Sequence, residues 1–307
     1  MNIASIDVGT NTILLLIAQI DLHKKLICTL HEEIRMPRIG EYLYETGKIS
    51  DGKIDELENI LLEYKCIVEN YNCSQCFVIG THALRAAANK LAIQKRIYNK
   101  TSFLIEIISP ETEAEFAFHG VKSAISFNDT FAILDIGGGS TEIIIGKNDE
   151  IVERKSIPVG VVTLKDSFIS RYPIAEDERS KLRDKLEIEF KKLNFKQYAP
   201  KTLIGISGTP TTLSGIINKL KVFNPVLLEN TSISINEIHS VFNFLGNSSL
   251  KKIRRSYGEI ISKREDILYI GCEILLYLMS YFQLSNVMIS AKGIRHGVIY
   301  KKMFMAS

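Results

Sequence analysis

Asp135 ends the apolar run Ile133-Leu134-Asp135-Ile136. Three glycines and two hydroxyls follow as Gly137-Gly138-Gly139-Ser140-Thr141, then Glu142, then the apolar run Ile143-Ile144-Ile145. The short β-branched runs read as strands, and the glycines between them as a tight turn. Consecutive main-chain N–H groups in such a turn form an anion-binding concavity, to which the hydroxyls add donors. Asp135 and Glu142 bring negative charge beside that concavity. This is unfavourable unless a divalent cation lies between the acids and the bound oxygens. A glycine hairpin with no ligand is the plain alternative.

A second copy stands at the N-terminus, where Ile3-Ala4-Ser5-Ile6-Asp7 runs into Val8-Gly9-Thr10-Asn11-Thr12 and then Ile13-Leu14-Leu15-Leu16. The separation of the two copies is far longer than a solenoid period and predicts two related halves. Two facing turns of this kind would grip a chain of phosphates from both sides of a cleft.

The composition suits such a reading without demanding it. The chain has 307 residues, 46% hydrophobic and 24% charged, which predicts a globular protein of two domains. A net charge of +3 is too small to argue for nucleic acid, and no aromatic–basic alternation of the kind that binds single strands occurs. No apolar run reaches membrane-spanning length, and the first residues lack the basic start of a signal peptide. The expectation is a cytoplasmic protein with no membrane partner. Five cysteines, an odd number in a long chain, argue against a disulfide framework. Cys73-Ser74-Gln75-Cys76 has no second pair to complete a zinc site.

The elements that must position these residues follow in order. Strands are expected at Leu26 to Ile34, Cys76 to Gly80 and Phe103 to Ile108, with helices from Ser50 to about Tyr71 and from Ala86 to Tyr98. Ser109-Pro110-Glu111-Thr112-Glu113 opens a helix with a serine cap, proline in the first position and acids in the first turn. Ser126-Phe127-Asn128-Asp129 reads as a connection. Beyond the central turn come a strand at Glu150 to Ile157, a charged helix from Ala175 to Leu193 and a strand at Thr202 to Ile206. A helix follows Ser207-Gly208-Thr209-Pro210, with further helices at Ser234 to Leu245 and Glu265 to Phe282. A strand at Asn286 to Ile289 leads through Lys292-Gly293-Ile294-Arg295-His296-Gly297 into a last helix. The repeated βββαβα order is an α/β architecture.

Five motifs occur in one order: Asp7-Val8-Gly9-Thr10-Asn11, Gly80-Thr81-His82-Ala83-Leu84-Arg85, Glu113-Ala114, Asp135-Ile136-Gly137-Gly138-Gly139-Ser140-Thr141-Glu142 and Gly208-Thr209-Pro210-Thr211-Thr212. Together they resemble the exopolyphosphatase / guanosine pentaphosphate phosphohydrolase family over nearly the whole chain. The resemblance implies a fold of two actin-like (ribonuclease H-like) α/β domains flanking a central cleft. The expected domains are 1–125 and 126–307, with the last helix, from about residue 293, free to pack back on the first. It also implies Mg²⁺-dependent hydrolysis of a terminal phosphoanhydride bond in inorganic polyphosphate or guanosine pentaphosphate. By motif position Glu113 matches the catalytic glutamate, Glu142 its partner acid and Arg85 a phosphate-binding arginine. Two departures stand out. The family's usual Arg-Glu-Gly reads Arg295-His296-Gly297 here, and the Gly208-Thr209 loop carries Pro210.

On this reading Glu113 is a general base on water, and Asp7, Asp135 and Glu142 are the Mg²⁺ acids. Thr10, Asn11, Arg85, Gly138, Gly139, Ser140, Thr141, Gly208, Thr209 and Arg295 meet phosphate oxygens. Each has a plainer reading. Glu113 complements a helix dipole as Glu111 and Glu115 do, Asp7 and Asp135 cap turns, and Arg85 makes a salt bridge. The basic run Lys251-Lys252 with Arg254-Arg255 reads as a solvated face. The competing functional reading is an ATP-binding actin-like kinase or regulatory module; a homodimer is left open.

Overall fold

The computed structural model describes residues 1–125, 128–261 and 263–305. The chain forms two compact units, Met1–Ile125 with Lys292–Ser307, and Ser126–Ala291. The connection expected at Ser126-Phe127-Asn128-Asp129 begins with two residues outside the described set.

Unit one runs β1 (Asn2–Val8), β2 (Ile13–Asp21), β3 (Leu26–Arg35), α1 (Leu43–Thr46), α2 (Asp51–Asn70), β4 (Gln75–Gly80), α3 (His82–Ala86), α4 (Lys90–Thr101), β5 (Ile105–Ile107) and α5 (Pro110–Lys122). Its sheet has the order β3-β2-β1-β4-β5. The first three strands are antiparallel and β4 and β5 join in parallel. Unit two runs β6 (Phe131–Ile136), β7 (Thr141–Lys147), β8 (Glu150–Ile157), α6 (Val161–Phe168), α7 (Glu176–Phe190), β9 (Thr202–Ile206), α8 (Gly208–Ile217), α9 (Pro225–Leu228), β10 (Ser232–Ser234), α10 (Ile235–Gly246), α11 (Leu250–Tyr257), α12 (Leu268–Phe282) and β11 (Asn286–Ile289). Its sheet, β10-β11-β9-β6-β7-β8, repeats the first order and adds one antiparallel edge strand. The last helix, α13 (Ile294–Phe304), belongs to unit one. Each unit is an α/β domain built on one mixed sheet, and the two sheets share one strand order. Among the described residues no helix is long and apolar enough to cross a membrane.

Period-two alternation along β1 decides where the acid goes. Ala4, Ile6 and Val8 join Leu57 and Leu61 of α2 in one core. Ile3, two positions before Ser5 and four before Asp7, packs with Leu16 and with Ile299 of α13. Asp7 therefore lies on the sheet face that α13 covers. Tyr64 of α2, fully buried, donates to the Ile13 carbonyl at 3.0 Å and pins the opposite face.

Helix α5 begins as its residues dictate. The Ser109 hydroxyl accepts from the Thr112 N–H at 3.2 Å and Pro110 takes the first position. It crosses α13 at backbone contact. A Cβ on Gly297 would stand 1.7 Å from the Phe116 carbonyl oxygen, and one on Gly120 would stand 2.1 Å from that of Gly293. Neither backbone can yield without separating the helices.

Beside this crossing, α13 also delivers two polar side chains. The Arg295 guanidinium donates to the Leu15 carbonyl at 2.8 Å and pairs with Glu32 at 3.1 Å. His296 is buried with Nε2 3.4 Å from the Thr29 hydroxyl. Burial, with the Arg295 and Lys292 charges nearby, lowers its pKa well below the usual histidine value.

The structure departs from the sequence expectation at several elements. The helix expected from Ala86 to Tyr98 is two helices: His82–Ala86, then, after an interruption at residues 87–89, Lys90–Thr101. Helix α12 starts at Leu268, not Glu265, because Glu265 is buried and engages Arg254 of α11. Helices α1, α9 and α11 and strand β10, all short, are additional elements.

Two outcomes follow. Gly297→Ala should lower the denaturant midpoint by the equivalent of about 1–3 kcal/mol, the usual cost of overpacking, or more. Gly52→Ala, which meets nothing within 4 Å, should leave the midpoint unchanged or raise it slightly. His296 makes stability fall as pH drops. Below about pH 6.5 the unfolded chain takes up a proton that the folded chain refuses, so the unfolded state binds more protons and is favoured. Midpoints measured between pH 7.5 and 5 should show this slope in the native protein and a shallower one in His296→Gln.

Candidate active site

Each sheet ends its first hairpin in the same turn. The Gly9 N–H donates to the Thr12 carbonyl at 2.9 Å, and the Gly137 N–H donates to the Ser140 carbonyl, also at 2.9 Å. The carbonyls inside the turn are taken by the segment that follows the third strand. In unit one the Gly40 N–H bonds to Thr10 O at 3.0 Å and the Arg38 N–H to Asn11 O at 3.1 Å. In unit two the Val161 N–H bonds to Gly137 O at 3.0 Å and the Val162 N–H to Gly138 O at 2.9 Å. A glycine is required at each approach: a Cβ on Gly160 would meet Gly138 at 2.4 Å, and one on Gly40 would meet Thr10 at 2.3 Å. With the carbonyls drawn to α6, the N–H groups of Gly138 and Gly139 make no backbone bond among the described residues. They are the donors a phosphate oxygen would use.

The hydroxyls differ in employment. Thr141 is fully buried and donates to the Val159 carbonyl at 2.6 Å, fastening the turn to the strand exit. Ser140 and Thr10 are buried beside their turns, and Asn11 is buried with its Oδ1 accepting no hydrogen bond.

The acids sit one rung before the turn closes in each hairpin. Asp7 faces Leu14 across the β1–β2 pair, whereas Asp135 faces Glu142 across β6–β7. The two halves are thus alike in backbone and unlike in charge. Asp135 and Glu142 are both buried. Glu142 accepts from the Ser156 hydroxyl at 2.7 Å. Burial pushes the Asp135 carboxyl up to about 6, and a hydrogen bond from Ser207 opposes the shift. Two buried acids in direct register are a costly arrangement that a cation would relieve. Among the described residues no group of three His, Cys, Asp or Glu side chains could hold a metal ion. A pair of carboxylates suits Mg²⁺ all the same, since its octahedral shell is usually completed by waters and substrate phosphates.

The first turn of α5 brings Glu113 to Arg85. The Arg85 Nη1 donates to Glu113 Oε2 at 3.0 Å and to the Ile108 carbonyl at 2.8 Å. Glu113 is buried and Arg85 half-buried. Because α5 lies against α13, this pair belongs to the sheet side that carries Asp7. Of the first-turn acids, Glu113 is buried and Glu111 stays exposed; Glu115, one turn on, pairs with Lys301. Arg295, in contrast, is committed to Leu15 and Glu32 inside unit one.

At the α8 N-terminus, Gly208 follows Ser207, whose φ of 66° is a left-handed conformation that a serine adopts only at a cost. The Ser207 hydroxyl lies 3.4 Å from the Ile136 carbonyl and bonds Asp135. Thr209 packs against Gly271 of α12, where a Cβ would come within 2.4 Å. Arg264, buried, lies with Nε 2.9 Å from the position of a Cβ on Gly208. Ser156, Ser207 and Arg264 are the site-side residues that the motif reading passed over. Only the strand register, which places Asp135 beside Ile206, could have pointed to Ser207.

Residues 16–305 match the model of the Ppx/GppA phosphatase family. The chain is 29% identical to the bifunctional 3-dehydroquinate synthase/phosphatase of Fusobacterium nucleatum over 96% of its own length, and it spans 46% of that relative. It is 28% identical to exopolyphosphatase 2 of Mycobacterium tuberculosis over 72% of each chain. Among solved structures, an exopolyphosphatase from Cytophaga hutchinsonii superposes with a TM-score of 0.92 at 25% identity, covering 100% of this chain and 99% of that one. The Aquifex aeolicus member of the Ppx/GppA family gives 0.84 at 26% identity, covering 99% and 98%. Matched in sequence nearly end to end and in fold by solved members, the chain belongs to the Ppx/GppA phosphatase family.

Proposed function

We propose that the chain hydrolyses the terminal phosphoanhydride bond of inorganic polyphosphate or of guanosine pentaphosphate and releases orthophosphate. Family membership and exopolyphosphatase relatives support the reaction class. The observation that carries the assignment of roles is the buried Glu113 held by Arg85 at 3.0 Å.

Phosphoryl transfer to water calls on the protein for positioning and charge neutralisation more than for covalent chemistry. Water attacks the terminal phosphorus; its oxygen forms the new P–O bond as the bridging P–O bond breaks. Glu113 accepts the proton that the water loses. Arg85 holds that carboxylate in place, and since both of its bonds run from Nη1, its remaining N–H groups serve phosphate oxygens. On unit two, Gly138 and Gly139 offer main-chain N–H groups to phosphate oxygens, and Gly208 and Thr209 add a helix N-terminus. A Mg²⁺ ion, if held by Asp135 and Glu142 with waters completing its shell, would neutralise charge on the phosphate oxygens.

The Glu113→Gln variant should lose phosphate release from long-chain polyphosphate by about 10²- to 10⁴-fold while calorimetry still records substrate binding. Full activity in that variant would overturn the assignment of the base. Release measured in parallel on polyphosphate, guanosine pentaphosphate and ATP identifies the substrate; saturable ATP binding with no release from any of them would favour a nucleotide-binding module instead.

A further inference from the structure

We propose that Ser156 is a positioning residue for the acid pair of unit two, holding the Glu142 carboxylate in the orientation that a Mg²⁺ ion requires; the assignment rests on the metal role given to Asp135 and Glu142 above. The register of the sheet puts it there. Asp135 of β6 faces Glu142 of β7, and Glu142 faces Ser156 of β8, so three strands each contribute one side chain to a single row. The row is turned away from the main core of unit two. Leu134, Ile136, Ile143 and Ile157, chain neighbours of its three members, all pack into that core. Side chains alternate along a strand, which sends Asp135, Glu142 and Ser156 to the opposite face.

At the end of the row the Ser156 hydroxyl donates to Glu142 Oε1 at 2.7 Å. An ionised carboxylate only accepts, so the serine proton is committed to one oxygen of the glutamate. Hydrogen bonds to a charged oxygen are shorter and stronger than those between neutral groups. Glu142 is buried and Ser156 half-buried, so the hydroxyl reaches the acid from the edge of the sheet.

The strand itself has no need of a serine at this place. β8 is an edge strand, and β-branched residues suit a strand better. The hydroxyl has its use on the neighbouring rung. Carboxylates that hold a metal are themselves hydrogen-bonded, and the groups that hold them set their orientation and the affinity of the site.

Three variants test this. Ser156→Ala should weaken Mg²⁺ binding about ten- to hundredfold in calorimetry with the metal alone. The rise of its denaturation midpoint on adding Mg²⁺ should shrink accordingly. Phosphate release by this variant should fall at low Mg²⁺ and recover as Mg²⁺ is raised. Ser156→Thr, which keeps the hydroxyl, should bind the metal as the native protein does. Ser156→Val, close to threonine in shape but without the hydroxyl, should match the alanine variant. A purely structural serine would instead move the midpoint in the absence of Mg²⁺ and leave the metal affinity untouched. Native Mg²⁺ affinity in Ser156→Ala and Ser156→Val, with Glu142→Gln impaired, overturns the Ser156 assignment alone. Native affinity in Glu142→Gln, or no uptake of Mg²⁺ by the native protein, overturns the metal role of the pair and the Ser156 assignment with it.

Discussion

A carboxylate taken out of water must find a cation or lose its charge, and this constraint shapes the ends of both sheets. Asp7, Glu113, Asp135 and Glu142 are all buried. Glu113 meets the constraint inside its own unit, through Arg85. Asp135 meets it poorly: burial lifts its carboxyl to about 6, and the one opposing influence is a neutral hydroxyl. Hydroxyls from Ser207 and Ser156 can orient the two acids of unit two, but they cannot cancel their charge. Two buried acids facing each other on one rung are the kind of pair whose charge a divalent cation relieves.

The duplication makes the contrast sharper. The two halves repeat one backbone device, a hairpin closed by an N–H to carbonyl bond of 2.9 Å and entered by a segment that approaches over a glycine. On the rung before the last, however, unit one pairs an acid with a leucine and unit two pairs an acid with an acid. The side chains diverge: unit two carries a facing pair of acids and unit one a carboxylate–guanidinium pair.

Much of this is legible in the sequence, for reasons that differ by residue. The turns announce themselves because glycine and β-branched strands leave few conformational choices around Asp135 and Asp7. The start of α5 is equally plain, since Ser109, Pro110 and two acids each have a local reason to be there. What escapes is whatever depends on a partner distant in sequence. Nothing local distinguishes Glu113 from Glu111, yet packing buries the first and leaves the second in water. Arg264 reaches Gly208 only because α12 begins beyond it, and Arg295 is drawn to Glu32 by a strand at the other end of the chain. The early helix at His82–Ala86 escapes too, because five residues carry no periodicity to read.

The same long-range logic explains where Glu113 comes to lie. Its helix is set against α13 by a contact in which Gly297 meets the Phe116 backbone and Gly120 meets that of Gly293. Such closeness is possible only where side chains are absent on one partner. A carboxylate on the first turn of α5 is thus placed by glycines at the far end of the chain, and α13 is anchored in turn by Arg295 on Leu15 and Glu32. The residue at 296, a histidine where the resemblance leads one to expect a glutamate, sits inside this anchor and not beside Glu113's partner. Its neutral, buried ring adds no charge there, so Arg295 is left to Glu32. The substitution at 296 therefore bears first on how firmly the last helix holds α5, and only through that on the chemistry.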